Sequence, residues 1–236
     1  MHVVAPEPSS RRDIQVHGKT YMIAEYIGRP PMRGTYVAGA EAENPNDPRP
    51  QGFLVHQPAG AVTPPHFHEH AQFQVVVGGF ARFGKHDAPP ITLHYASGHT
   101  PYGPIVAGPE GVVYFTLRRA WDPGAKYMPA SRDKLRPPPR RSRVAGPFGA
   151  ADAKPGLEVL MEPEADGLAA WRITGGPGAL LTPPAPQGDG QYHVVIDGSA
   201  GAMERNACAF YGPGEAAPEY RAGPKGASVL ILQFPA

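Results

Sequence analysis

The stretch "PPHFHEHAQFQVVVGG", residues 64 to 79, sets His66, His68 and His70 at every second position, and Gln72 and Gln74 continue the same parity. In an extended chain, residues two apart face the same way, so these side chains can share one cavity; a bend near "EHA" would turn His70 aside. Imidazole nitrogens are ligands for Zn, Fe, Ni, Cu or Mn, and the amide oxygen of Gln72 adds a neutral oxygen donor. A divalent ion held by neutral ligands keeps its whole charge, which strengthens its pull on an anionic substrate or a bound water. The competing account is an exposed polar strand end that carries histidines by chance. His-x-His followed by an inward glutamine favours metal over it.

The elements that must position these groups read as strands. In the first half the runs are "TYMIAEYI" (20–27), "GFLVHQ" (52–57), "QFQVVVGGFARF" (72–83), "ITLHYA" (91–96) and "GVVYFTLRR" (111–119). Pro, Gly, Asn and Asp clusters suited to turns separate them: "RPPMRG", "NPNDPRP", "GKHDAPP" and "VAGPEG". No long segment keeps a 3.6-residue apolar period, and 31 Pro with 29 Gly in 236 residues suit short strands and tight turns better than helices. The expected fold class is all-β. From about Gly124 to Pro155 the strand pattern fails around "RPPPRRSR", which reads as a solvated linker or an arm packed on a neighbouring domain; an anion or peptide contact is the functional alternative. Strand runs return at "LEVLMEP" (157–163), "AAWRITGG" (169–176), "QYHVVIDG" (191–198), "ACAFYG" (207–212) and "SVLILQFP" (228–235).

The second half repeats the first. "TPPHFHEHAQFQVVVGG" (63–79) aligns without a gap on "TPPAPQGDGQYHVVIDG" (182–198), and "AGPEGVVYFTL" (107–117) answers "AGPKGASVLIL" (222–232). Two ordered matches indicate a duplicated β domain. The expected division is a first domain over 1–122 with the metal site, a Pro/Arg-rich linker or arm over 123–156, and a second domain over 157–236. In the second copy Ala185, Gln187 and Gln191 stand where His66, His68 and Gln72 stand, so no metal is expected there.

The order Gly60, "AVTPP", His66, Phe67, His68, "EHA", Gln72, "FQVVVG", Gly79 resembles the first motif of the cupins, with Gln72 in place of the usual acid. The resemblance covers most of 20–118 and, less specifically, 157–235. It implies two tandem double-stranded β-helix (jelly-roll) domains, an altered metal site in the first, a degenerate second, and His66, His68 and Gln72 as metal ligands. The second cupin motif matches less well. Its region is "HYASGHTPYGPIVAG", where the usual histidine position falls on Pro101 or Tyr102. His99, beside the Ser97–Gly98 turn, is the first choice for a fourth ligand, ahead of His94 and His70.

The chemistry expected from such a site is that of a metal-dependent enzyme acting on a small polar or aromatic acid, with dioxygenation leading and isomerisation, cyclisation, decarboxylation and lysis as alternatives. His70, His99 and Tyr102 are the candidates for acid or base work, and Gln74, Arg82, His94 and Tyr114 for orienting substrate. A nonenzymatic small-molecule binder and a structural dimer module compete with this reading. With 22 Lys and Arg against 21 Asp and Glu there is no global field to gather nucleic acid or an anionic membrane. The lone cysteine, Cys208, makes no internal disulfide, and the chain has neither a P-loop nor Cys-x-x-Cys. The beginning lacks a secretory h-region and no run approaches 18 apolar residues, so the expectation is a cytoplasmic protein, with a homodimer as the default assembly.

Overall fold

The computed structural model describes residues 2–28, 49–137, 139–150, 152–216 and 218–236. The turn cluster "RPPMRG" and most of "NPNDPRP" lie outside the described residues. The chain divides into two compact units: Ser10–Pro147, and Met1–Ser9 with Phe148–Ala236.

In chain order, β1 (His2–Ala5) belongs to the second unit. The first unit holds β2 (Ser10–Val16), β3 (Lys19–Ile27), β4 (Gln51–Gln57), β5 (Val62–Thr63), β6 (His66–Phe67), β7 (Gln72–Phe83), β8 (His86–Ala88), β9 (Leu93–Ala96), β10 (Ile105–Arg118), β11 (Lys126–Tyr127) and β12 (Ser142–Ala145). The second continues with β13 (Gly156–Met161), β14 (Ala169–Gly175), β15 (Leu180–Leu181), β16 (Gln191–Ala200), β17 (Met203–Glu204), β18 (Cys208–Tyr211) and β19 (Tyr220–Gln233).

The main sheet of the first unit runs β12-β9-β7-β10-β4-β3-β2, with β5 on β10, β8 on β7, and β11 paired separately with β6. The second unit runs β1-β18-β16-β19-β14-β13, with β15 on β19 and β17 on β16. The same skeleton therefore occurs twice. The central pair β7/β10 corresponds to β16/β19, and β1 holds on β18 the edge place that β12 holds on β9. Both units are antiparallel β structures of tandem cupin jelly-roll type.

The expected boundaries and these units differ at the chain's start and at the proline-rich segment. Residues 2–5 pair within the second unit, and 126–127 and 142–145 pair with strands of the first. Those two short strands bring the stretch after residue 122 into the first sheet system.

Period-two alternation places the first unit's interior. Along β10, Val112 and Tyr114 face the cluster that holds Phe53, Val55 and Tyr21, and Arg118 continues the same parity. Along β7 the inward parity is Gln74 and Val76 up to a break: Tyr114 pairs with Val76 but Val113 pairs with Gly78, so Val77 is an extra residue. Beyond that bulge the inward residues are Ala81 and Phe83, both in the core. Gly79, at φ 66°, follows the bulge, and a Cβ there would strike the Gly111 carbonyl. Gly198 and the Gly226 carbonyl repeat this approach in the second unit. Among the described residues no helix is long and apolar enough to cross a membrane.

Candidate functional site

The first unit holds an open-mouthed chamber. Its walls are apolar, from Ile14, Val16, Ile23, Phe53, Val55 and Ala125. Its polar groups come from Thr63, His66, His68, Gln74, Thr116, Arg118 and four tyrosines, 21, 102, 114 and 127. Ala125 and Tyr127 reach it because β11 pairs with β6, Tyr127 opposite His66.

His66, His68 and Gln72 are buried and face the same region from β6 and the start of β7. Tyr102 joins them through reciprocal backbone bonds with His66, N–H to carbonyl at 3.1 and 2.9 Å. The hydrogen bonds fix the tautomer of His66. Its Nδ1 lies 2.7 Å from the Pro64 carbonyl, which only accepts, so Nδ1 carries the proton and Nε2 accepts from the Tyr102 hydroxyl at 2.8 Å. Gln72 Nε2 donates to the same hydroxyl at 2.5 Å. Burial first, then the fields of His68 and Arg118, lower the His66 pKa to about 3, so the ring is neutral. Burial raises the Tyr102 phenol, which stays protonated.

Arg118, at the end of β10, is 2% exposed. Its Nε and Nη2 donate to Gln72 Oε1 at 3.1 and 2.9 Å, and Nη1 donates to Gln51 Oε1 at 2.9 Å. These two acceptors sit beside it because Arg118 pairs with Gln72 on one side and Gln51 on the other. The guanidinium carbon lies 5.5 Å from the centre of the Phe53 ring, and Nη2 lies 3.2 Å from both nitrogens of His68. His68 Nδ1 is 2.7 Å from Asp122 Oδ1, and with its proton donated there, Nε2 is the acceptor for Arg118. Asp122 is fully buried and also takes the backbone N–H of Glu69 and of Gly124, at 2.8 and 2.9 Å. Burial works to raise its pKa; His68, Arg118 and the Gly124 N–H outweigh it and hold the carboxyl well below the usual range. Burial and Arg118 lower the His68 pKa, leaving Asp122 as the counter-charge to Arg118.

The other predicted residues divide. Gln74 lines the chamber and accepts from His94 Nδ1 at 2.9 Å, while Ser142 Oγ meets His94 Nε2 at 3.0 Å. Burial lowers the His94 pKa to about 4. His94 thus supports Gln74 and packs against Tyr102, the tilted rings 4.8 Å apart at their centres, without lining the chamber. Tyr114 lines it, and neither its hydroxyl nor that of Thr116 has a hydrogen-bond partner among the described residues. His70 is exposed on the loop after β6, turned aside by the bend at "EHA". His99 sits at φ 55° on the outer side, 5.5 Å from Phe67, with Nδ1 3.2 Å from the Lys134 carbonyl. It does not join His66 and His68, because Phe67 has the opposite parity to both. Arg82 is exposed, because the bulge at Val77 reverses the parity that Gln72 and Gln74 set.

Two residues central to the site, Arg118 and Asp122, were missed by sequence reasoning. Arg118 was detectable as the third inward residue of the alternation Tyr114, Thr116, Arg118. Asp122 follows the last strand run and carries no local pattern.

The donors do not fit a divalent ion as they stand. The His66 Nε2 lone pair is taken by Tyr102, Gln72 Oε1 by Arg118, and a fixed positive charge lies within 3.2 Å of His68 Nε2. At an effective dielectric of ~20, two unit charges ~4 Å apart repel by about 4 kcal/mol, and a dication doubles this. Among the described residues no three His, Cys, Asp or Glu side chains form a cluster that could hold a metal.

No protein-family model and no curated protein matches this chain. Solved structures do. The bacterial pirin YhhW of Escherichia coli, in complex with nickel(II), aligns over 100% of both chains at TM-score 0.57 and 12% identity. Oxalate decarboxylase of Bacillus subtilis aligns over 100% of this chain and 76% of its own at TM-score 0.58 and 13% identity. A Nostoc punctiforme protein proposed to be a dioxygenase aligns over 98% and 78% at TM-score 0.58 and 11% identity. At these identities the likeness is one of fold, and the fold of this chain is that of the tandem cupins.

Proposed function

We propose that the first unit is a binding chamber for a small organic acid with an apolar or aromatic body, its acidic head directed to the Arg118 side of the floor. The observation that carries this reading is the chamber's lining, apolar side chains around a few convergent polar groups. Its division into aliphatic and Phe53 walls and a cationic, hydroxyl-rich floor suits an amphipathic ligand. The Tyr114 and Thr116 hydroxyls, without partners among the described residues, supply donors that a carboxylate can use. The dioxygenase expectation drew on a metal held by His66, His68 and Gln72; the guanidinium against those same donors is the reason it is not carried forward.

The test is a panel of aromatic and aliphatic carboxylates, each beside its uncharged amide, screened by ligand-observed NMR and thermal shift. Acids are expected to bind and their amides to bind at least tenfold more weakly. Ala125→Trp, on the connecting segment rather than in the main sheet, is expected to abolish binding with the circular dichroism unchanged. Equal binding of acids and amides would overturn the acidic-head assignment, and binding that survives Ala125→Trp would overturn the chamber as the site.

A further inference from the structure

We propose that the Arg118 guanidinium is the resident cation of this floor, filling the charge role a metal ion would have among His66, His68 and Gln72, and that a divalent-cation site lies latent beneath it. The proposal concerns the floor alone and does not depend on which small molecule enters the chamber.

Four observations support it. The guanidinium engages the donors that would otherwise be ligands, Gln72 Oε1 at 2.9 Å and the His68 ring at 3.2 Å. It is a built feature: buried, hydrogen-bonded to Gln51, and set over Phe53. The buried carboxylate at the floor, Asp122, balances one positive charge, and a dication added to Arg118 would make three. The second unit supplies an internal comparison. Gln191 there pairs with Gln233 as Gln72 pairs with Arg118, and Ala185 and Gln187 stand in place of the histidines. Gln233 Oε1 accepts from Gln191 Nε2 at 2.8 Å, a neutral amide pair. The copy without counterparts of His66 and His68 lacks the cation as well, and its remaining imidazole, His193, meets Gln191 Oε1 at 3.0 Å.

Replacing Arg118 by a neutral residue would uncover Gln72 Oε1 and His68 Nε2 and leave Asp122 unbalanced, which favours a dication. The untagged, chelator-stripped full chain would be titrated with Co²⁺, whose visible absorption reports coordination, beside Arg118→Gln and Arg118→Gln/His66→Ala. The wild type is expected to show no saturable band at micromolar Co²⁺. Arg118→Gln is expected to take up one equivalent at least 100-fold more tightly, and the added His66→Ala to abolish it. Saturable one-equivalent binding by the wild type at micromolar Co²⁺ would overturn the proposal however the variants behave. So would a folded Arg118→Gln that binds no better than wild type, with Arg118→Met taking its place if the glutamine variant does not fold.

Discussion

Tyr102 decides how the floor works at the scale of single residues. One hydroxyl caps the acceptor nitrogen of His66 and receives the amide of Gln72. Tyr102→Phe keeps the ring and leaves both partners buried without it, which costs ~1–3 kcal/mol for such groups. Chemical denaturation is expected to show a loss in that range, while Tyr114→Phe, whose hydroxyl has no partner among the described residues, serves as a control in the same unit; a loss below about 0.5 kcal/mol would contradict the assigned bonds. The histidines and glutamines of this floor were legible because strand parity is a local signal, carried by residues two apart. Arg118 and Asp122 were not, because they reach Gln72 and His68 across 46 and 54 residues of chain and only the sheet register brings them there. His99 misled for the opposite reason: a turn beside glycine can aim a side chain either way, and here it packs against Phe67.

The strand runs at the level of elements emerged from alternation and turn chemistry, and the repeat exposed the shared skeleton. What alternation could not supply was the extra residue at Val77, which turns Arg82 outward and Phe83 inward. Nor did it suggest β2, "SRRDIQV", which pairs with Lys19 to Glu25 of β3. The close glycine approach after each bulge makes a paired prediction. Gly79→Ala and Gly198→Ala force a left-handed backbone and a clash with a carbonyl, and each is expected to destabilise by ~2 kcal/mol or more. Gly60→Ala, at φ 63° with open space around it, meets the backbone cost alone, about 1 kcal/mol. Thermal or urea unfolding of the three variants checks this; equal losses at all three would remove the bulge from the account.

The whole molecule buries neutral imidazoles in both units. His66 and His193 have pKa values lowered to about 3 and His94 to about 4, burial being the first cause in each. An unfolded histidine titrates near ~6.5. Between pH ~6.5 and ~4 the unfolded chain therefore binds protons that the folded chain does not, so stability is lost as pH falls through that window. Each group contributes up to ~1.4 kcal/mol per pH unit, and the three together approach about 4. The ionised Asp122 adds its loss only below ~4, where an unfolded carboxyl takes up its proton. Urea midpoints are expected to drop steeply from pH 7 to pH 5; a flat profile to pH 5 would contradict buried neutral rings. The central claim, a floor whose cation is Arg118, is tested most directly by a crystal structure of the wild type grown with nickel(II), with anomalous data collected at the nickel edge. The account predicts the guanidinium bonded to Gln72 and Gln51 and no anomalous peak among His66, His68 and Gln72. A peak coordinated by those three residues, with Arg118 turned away, would contradict it.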